Sequence, residues 1–202
     1  MAHRQVPELR IIAPSRKWHR DAIVELATKT FNRGRSYYEG EAVFERMLVC
    51  SPRYDWETSR IGLLGDRIVT HFGIQAYEMR VGRSSVRVAG VGCVATHGRY
   101  LKRGYMRGTA EASIQAMRSN GYDLSILFGI PNFYDKFRYT RAWSDTDYEI
   151  GLSDFPGELP KVRLRSFKRR YPREIVDLYN RSAAGLTGTM VRKPSVPTVP
   201  NL

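Results

Sequence analysis

Three cations and one glycine sit together in Leu101-Lys102-Arg103-Gly104-Tyr105-Met106-Arg107. A β-branched run over residues 88–96 precedes them, and a helix-patterned segment follows at once. Strand, cationic glycine turn, helix is an arrangement that holds a phosphorylated ligand on a helix N-terminus. The first turn of a helix has backbone N–H groups without intrahelical acceptors. Their dipoles sum to roughly half a positive charge at that end. Gly104 lacks a Cβ, so the chain there can take positive φ or approach a ligand closely. Lys102, Arg103 and Arg107 add full charges, and a guanidinium grips a phosphate through two parallel hydrogen bonds. The same residues also suit a plain helix start whose cations face water, and spacing alone leaves both readings open.

Periodicity supplies the elements that must position this turn. Residues 8–13 read as a first strand, stopped by Pro14-Ser15, with Ser15 as a helix N-cap. Trp18, Ala22 and Leu26, then Ile23, Ala27 and Phe31, fall at helical spacing. A second helix is predicted over 40–49, ended by Pro52. The period then changes to strands over 58–64, 67–81 and 85–96, turned by Gly65-Asp66 and Gly82-Arg83-Ser84. A helix is predicted over 105–120, with Ala110, Ile114 and Met117 on one stripe and Asn120-Gly121 as its C-cap. Residues 124–130 are nearly all apolar and read as a strand buried on both faces. Pro131 opens a short helix, and residues 141–152 supply one or two last strands. The strands on either side of the 105–120 helix are joined by a crossover and are therefore parallel. The fold class is α/β (α+β), with a central mixed, mostly antiparallel sheet flanked by helices.

At 202 residues the chain is one full domain with a fragment of another. No apolar run approaches the ~18–20 residues of a membrane span, and the N-terminus lacks a secretory apolar region. Cys50 and Cys93 suggest neither a disulfide framework nor a metal site, and Cys93 reads as a small core residue inside a strand. These features point to the cytoplasm. The net charge of +13 invites nucleic acid as a partner. Residues 161–202 alone carry +8, however, which leaves only +5 for the rest, so the basicity is concentrated in the tail. A moderately positive main domain also suits an anionic nucleotide ligand.

The segment from Val88 to Tyr139 resembles the cofactor-binding core of the GNAT acyltransferases, which use acetyl-CoA. Of their Arg/Gln-x-x-Gly-x-Gly/Ala loop only Gly104 matches, since Leu101 and Met106 stand at the end positions. The broader run is similar to the branch of the enhanced intracellular survival aminoglycoside acetyltransferases. Val94-Ala95-Thr96 matches its strand end, Lys102-Arg103-Gly104 its loop, and Tyr134-Asp135-Lys136-Phe137-Arg138-Tyr139 its Tyr-x-x-Phe-Gly-Tyr element, with Arg138 in place of the glycine.

This resemblance implies a GNAT fold over residues 1–155 and an N-acetyltransferase that moves an acetyl group from acetyl-CoA to an amine acceptor. Backbone N–H groups near Val94, Ala95 and Thr96 would steady the thioester carbonyl in the manner of an oxyanion hole. The loop Lys102, Arg103, Gly104, Tyr105, Met106, Arg107 would hold the pyrophosphate. Gly129 and Ile130 would border the pantetheine arm through backbone atoms, and Asn132 would contact its amides. Tyr134 would be the general acid. A phenol of pKa ~10 is protonated at neutral pH, the leaving thiol has a pKa of ~8.5, and a positioned proton contributes ~10²-fold or more. The base is left open among His71, His97, Glu78, water and the substrate itself. In this fold the segment between the first two helices shapes the acceptor pocket, and here it holds Phe31, Tyr37, Tyr38, Glu39 and Glu41. Aromatics beside carboxylates suit a cationic amine, and equally a solvated loop.

The tail repeats the opening. Residues 162–165 resemble 9–12 at an offset of 153, and 175–178 resemble 23–26 at an offset of 152. In the similar enzymes a degenerate second GNAT-like domain follows the first, so residues 156–202 read as a linker and the incomplete start of that domain. Pro194, Pro197 and Pro200 mark a disordered end. The relatives assemble, which admits a homo-oligomer. Two other function classes stay in play. One is a catalytically weak acyl-CoA-binding or interaction module of the same fold. The other is a basic nucleic-acid-binding protein.

Overall fold

The computed structural model describes residues 8–31, 41, 43–45, 51–130, 132–143, 148–154 and 172–194. Among these residues five strands form one sheet in the order β1 (Arg10–Ile12), β2 (Arg60–Leu64), β3 (Arg67–Val81), β4 (Ser84–Thr96) and β5 (Leu124–Ile126). The first three pairings are antiparallel and β4–β5 is parallel. Helix α1 (Arg20–Phe31) covers β3 and β4 on one face, and α2 (Tyr105–Ser119) crosses β3, β2 and β1 on the other. The crossover through α2 is what makes β4 and β5 parallel.

Strand alternation sorts the core between these helices. Ile61, Leu63 and Ile68 join Ile23, Val24 and Leu26 of α1. Phe72, Ile74 and Ala89 join Ala110 and Met117 of α2. Each large aliphatic side chain so buried contributes about 1.5–3 kcal/mol. Between sheet and α2 the hydroxyls of Thr70 and Thr109 meet at 2.7 Å, so this buried polar pair is satisfied.

Several boundaries differ from the sequence reading. Helix α1 begins at Arg20, after a turn in which Ser15 O accepts from His19 N and Ser15 N donates to His19 Nδ1. Trp18, expected on the apolar stripe, therefore precedes the helix and is exposed. Strand β5 stops at Ile126 instead of 130, because β4 partners it only from Val88 to Gly90. The helix expected after Pro131 is a single 3-10 turn, Asp135–Phe137. Among the described residues 141–143 and 148–151 there is no strand. Of the helix predicted over 40–49, residues 41 and 43–45 are described and helical. The rest of it lies outside the described residues, as do Tyr37, Tyr38, Glu39, Pro131, the repeat at 162–165, and Pro197 and Pro200.

The tail docks on the free edge of β3. Beyond Phe72 that edge has no β2 partner, and Tyr54 bridges Gln75 while Met190 bridges Met79. Arg80 donates to Met190 O at 3.0 Å and to Asn180 Oδ1 at 3.1 Å, which ties helix α3 (Pro172–Ser182) to β3. Lys193 Nζ lies 3.3 Å from Glu78 Oε2.

Candidate active site

Gly104 is the N-cap of α2 and takes φ 79°, ψ −7°, a left-handed conformation that a side chain disfavours. Lys102, two residues earlier, is also left-handed at φ 60°. Lys102, Arg103, Gly104 and Arg107 are exposed, while Tyr105 and Met106 are half-buried. No side chain caps the helix. The Arg107 N–H donates to Gly104 O at 3.0 Å, and those of Tyr105 and Met106 open onto a surface rimmed by three cations, which suits an anionic ligand. The Arg103 guanidinium sits over the Tyr100 ring at 5.4 Å.

Upstream of this corner, β4 carries a bulge. His71 pairs with Ala95 but Gly73 pairs with Gly92, so Cys93 and Val94 together face one residue, Phe72. Cys93 takes φ 51° to make the extra step. The bulge shifts the two-residue alternation by one. Ala89 and Val91 belong to the α2-side cluster, then Val94 does, while Cys93 and Ala95 pack on the α1 side. Cys93 is partly buried, and burial pushes its thiol up to about 12, so it stays a thiol at neutral pH.

The chain from β5 onward lines a cavity of about 460 Å³. Gly129, Ile130, Asn132 and Tyr134 all contribute to it, with Tyr139 and Trp143. A Cβ on Gly129 would lie 2.3 Å from Tyr134 Cε2, so the glycine seats the ring. Tyr134 is half-buried, and burial raises its pKa above the ordinary phenol value. Among the described residues no protein group hydrogen-bonds its hydroxyl, whereas Tyr139 Oη meets Ser125 Oγ at 2.6 Å. Arg138 takes the left-handed conformation (φ 68°, ψ 24°), and its N–H donates to Asp135 O at 2.9 Å. The turn therefore keeps its shape without the glycine of the resembling element.

Val94 from β4, Met106 from α2 and Tyr134 after β5 pack against one hydrophobic cluster. That brings together three of the four segments expected to form the site. Gly129, Ile130 and Asn132 border the cavity beside Tyr134. Lys102, Arg103 and Arg107 project at the helix start, and Ala95 is directed to the opposite face. Thr96 is half-buried at the strand end.

The three candidate bases are engaged elsewhere. His71 is fully buried, and burial lowers its pKa to about 4. Glu78 accepts from Ser85 Oγ at 2.8 Å and pairs with Lys193. His97 Nδ1 accepts from Arg99 N at 3.3 Å; burial first, then Arg67, Arg99 and Lys29, lower its pKa. Sequence reading did not single out Ser125, Trp143 or the bulge. The bulge leaves a trace in Val88-Ala89-Gly90-Val91-Gly92-Cys93-Val94, where alternation breaks at Cys93-Val94.

A mixed sheet whose single parallel pair parts beside a cationic helix N-terminus is the GNAT α/β layout. A family model for the acetyltransferase (GNAT) domain matches residues 11–142, and the chain belongs to this family. No curated protein matches it. Among solved structures, a conserved protein of unknown function from Enterococcus faecalis V583, described as a probable N-acyltransferase, aligns at 17% identity and TM-score 0.53, covering 65% of this chain and 31% of that one. A GCN5-related N-acetyltransferase from Kribbella flavida aligns at 18% identity and TM-score 0.52, covering 68% and 33%. The chain thus spans about a third of each. An aminoglycoside N-acetyltransferase in complex with CoA aligns at 12% identity and TM-score 0.54, covering 74% of this chain and 98% of that one. At these identities the likeness is one of fold.

Proposed function

We propose that this protein transfers an acetyl group from acetyl-CoA to an amine acceptor by direct attack on the thioester. The observation that carries this reading is the convergence of Val94, Met106 and Tyr134 on one cluster beside the exposed start of α2. The N–H groups after Gly104, with Lys102, Arg103 and Arg107, hold the pyrophosphate. Backbone N–H groups around Val94, Ala95 and Thr96 steady the thioester oxygen as charge grows on it. Gly129, Ile130 and Asn132 border the pantetheine arm. The amine nitrogen attacks the carbonyl carbon, the C–N bond forms, and the C–S bond breaks. Tyr134 donates its proton to the departing sulfur, and a raised pKa keeps that proton in place at neutral pH. His71, His97 and Glu78 being otherwise engaged, the acceptor loses its own proton to water.

The motif match supports membership of the enhanced intracellular survival branch, acting in the cytoplasm. The offset repeats support residues 156–202 as the opening of a second GNAT-like unit after a first over 1–155. Helix α3, starting at Pro172, stands at the same offset of 152 from α1, starting at Arg20.

The test is Tyr134→Phe in steady-state turnover over a panel of amines. We expect kcat to fall by ~10²-fold with KM for acetyl-CoA little changed, because the hydroxyl acts only in the transition state. Unchanged kcat would remove Tyr134 from the mechanism.

A further inference from the structure

Among the described residues His71 is the one imidazole in the core, and both of its nitrogens have partners. Nδ1 lies 2.7 Å from the Cys93 carbonyl oxygen, and Nε2 lies 2.8 Å from Tyr54 Oη. A carbonyl only accepts, so Nδ1 carries the hydrogen, and Nε2 accepts from the Tyr54 hydroxyl. Burial keeps His71 neutral and leaves Tyr54 protonated, which fixes this arrangement. Tyr54 is itself held, its ring edge-on to Trp56 at 4.5 Å and its N–H donating to Ser51 O.

The carbonyl at the end of this chain belongs to the left-handed residue of the β4 bulge. A non-glycine residue there costs about 1–2 kcal/mol of backbone strain, so something must hold it. Gly73 makes the room: a Cβ there would lie 2.6 Å from Gly92 O and 2.7 Å from His71 Cε1. The absent side chain thus lets the ring reach across β3 to the bulge. Because the bulge alone puts Val94 on the α2 side of the sheet, against the cluster that Met106 and Tyr134 also pack on, the ring sets which β4 residue faces that cluster.

We propose that His71, oriented by Tyr54, is a positioning residue for acetyl transfer: it pins the β4 bulge and so aims the Val94 backbone at the thioester. The inference rests on the acetyl-CoA reading of the site. It separates two parts of that site. The phosphate corner at Gly104 is built by the loop and α2. The acyl corner is built by the bulge.

The test follows backbone amide resonances as acetyl-CoA is added, in wild type, His71→Leu, His71→Gln and Tyr54→Phe. In wild type the amides of Tyr105 and Met106 and that of Val94 all shift, and ring-nitrogen shifts report hydrogen on Nδ1 of His71. In His71→Leu the helix amides still respond while the Val94 response is lost. Its kcat falls about ten- to a hundred-fold with KM for acetyl-CoA within about three-fold, as misplacement away from the chemistry does. His71→Gln restores both, since its amide can donate to the Cys93 carbonyl. Tyr54→Phe removes one hydroxyl and leaves the imidazole in place, so it keeps the test open if His71→Leu does not fold; it weakens the Val94 response while the Cys93 carbonyl still holds the hydrogen on Nδ1. An unchanged Val94 response in the folded variants overturns the inference, as does equal loss at Val94 and the helix amides, or hydrogen on Nε2 in wild type. If wild type shows no response at Tyr105 and Met106, the acetyl-CoA reading itself fails and the inference falls with it.

Discussion

A neutral imidazole in a dry core leaves a mark on stability as well as on geometry. His71 has a pKa of about 4 in the folded protein, with burial as the main cause. In the unfolded chain it returns to about 6.5. Between those values the unfolded chain binds a proton that the native protein does not. Stability therefore rises with pH through this window, is full above 6.5, and is lost as pH falls toward 4. Taking His71→Gln as reference, acidification from pH 7 to pH 5 should cost wild type about 2 kcal/mol more than the variant in urea unfolding. Equal losses would mean that His71 is hydrated or already charged. The position of Tyr134 beside the cavity was legible in the sequence because its neighbours form a local motif. The two hydrogen bonds of His71 were not. Its partners lie 17 and 22 residues away along the chain, and only folding brings them to one ring.

Strands and helices with their own periodicity could be read closely. The interval of β3 matched to the residue, and α2 began at Tyr105 with Ala110 and Met117 buried as expected. Elements that depend on a distant partner could not. Residues 127–130 are as apolar as β5 itself, yet they form no strand, because the β4 register that would pair them ends at Gly90. Outside the sheet, these residues line the cavity beside Tyr134, and no pattern within them encodes that departure. The 3-10 turn after β5 lends itself to a direct measurement. Arg138 is exposed and left-handed, where a non-glycine residue costs about 1–2 kcal/mol. Glycine gives back part of that through unfolded-chain entropy. Arg138→Gly should therefore stabilise the fold by up to about 1 kcal/mol, read as a melting temperature higher by a few degrees. A lower melting temperature would show that the arginine side chain contributes more than its backbone strain costs.

Across the molecule, charge and topology divide the work. The cations of the α2 start stand at the end of β4. The described tail is anchored at the other end of the β3–β4 pair through Arg80, Asn180 and the Glu78–Lys193 ion pair. Net charge taken over the whole chain obscured this separation, which needed the sheet order to become visible. Among the described residues no helix is long and apolar enough to cross a membrane. Pyrophosphate binding at the cationic α2 start is tested most directly by calorimetric titration of acetyl-CoA into wild type and Gly104→Asp. An aspartate there sets a like charge against the pyrophosphate and strains the left-handed backbone. We expect saturable one-site binding to wild type and an affinity at least ~10²-fold weaker in a variant whose melting curve stays cooperative. Equal binding by the two proteins, or none by wild type, would contradict the account.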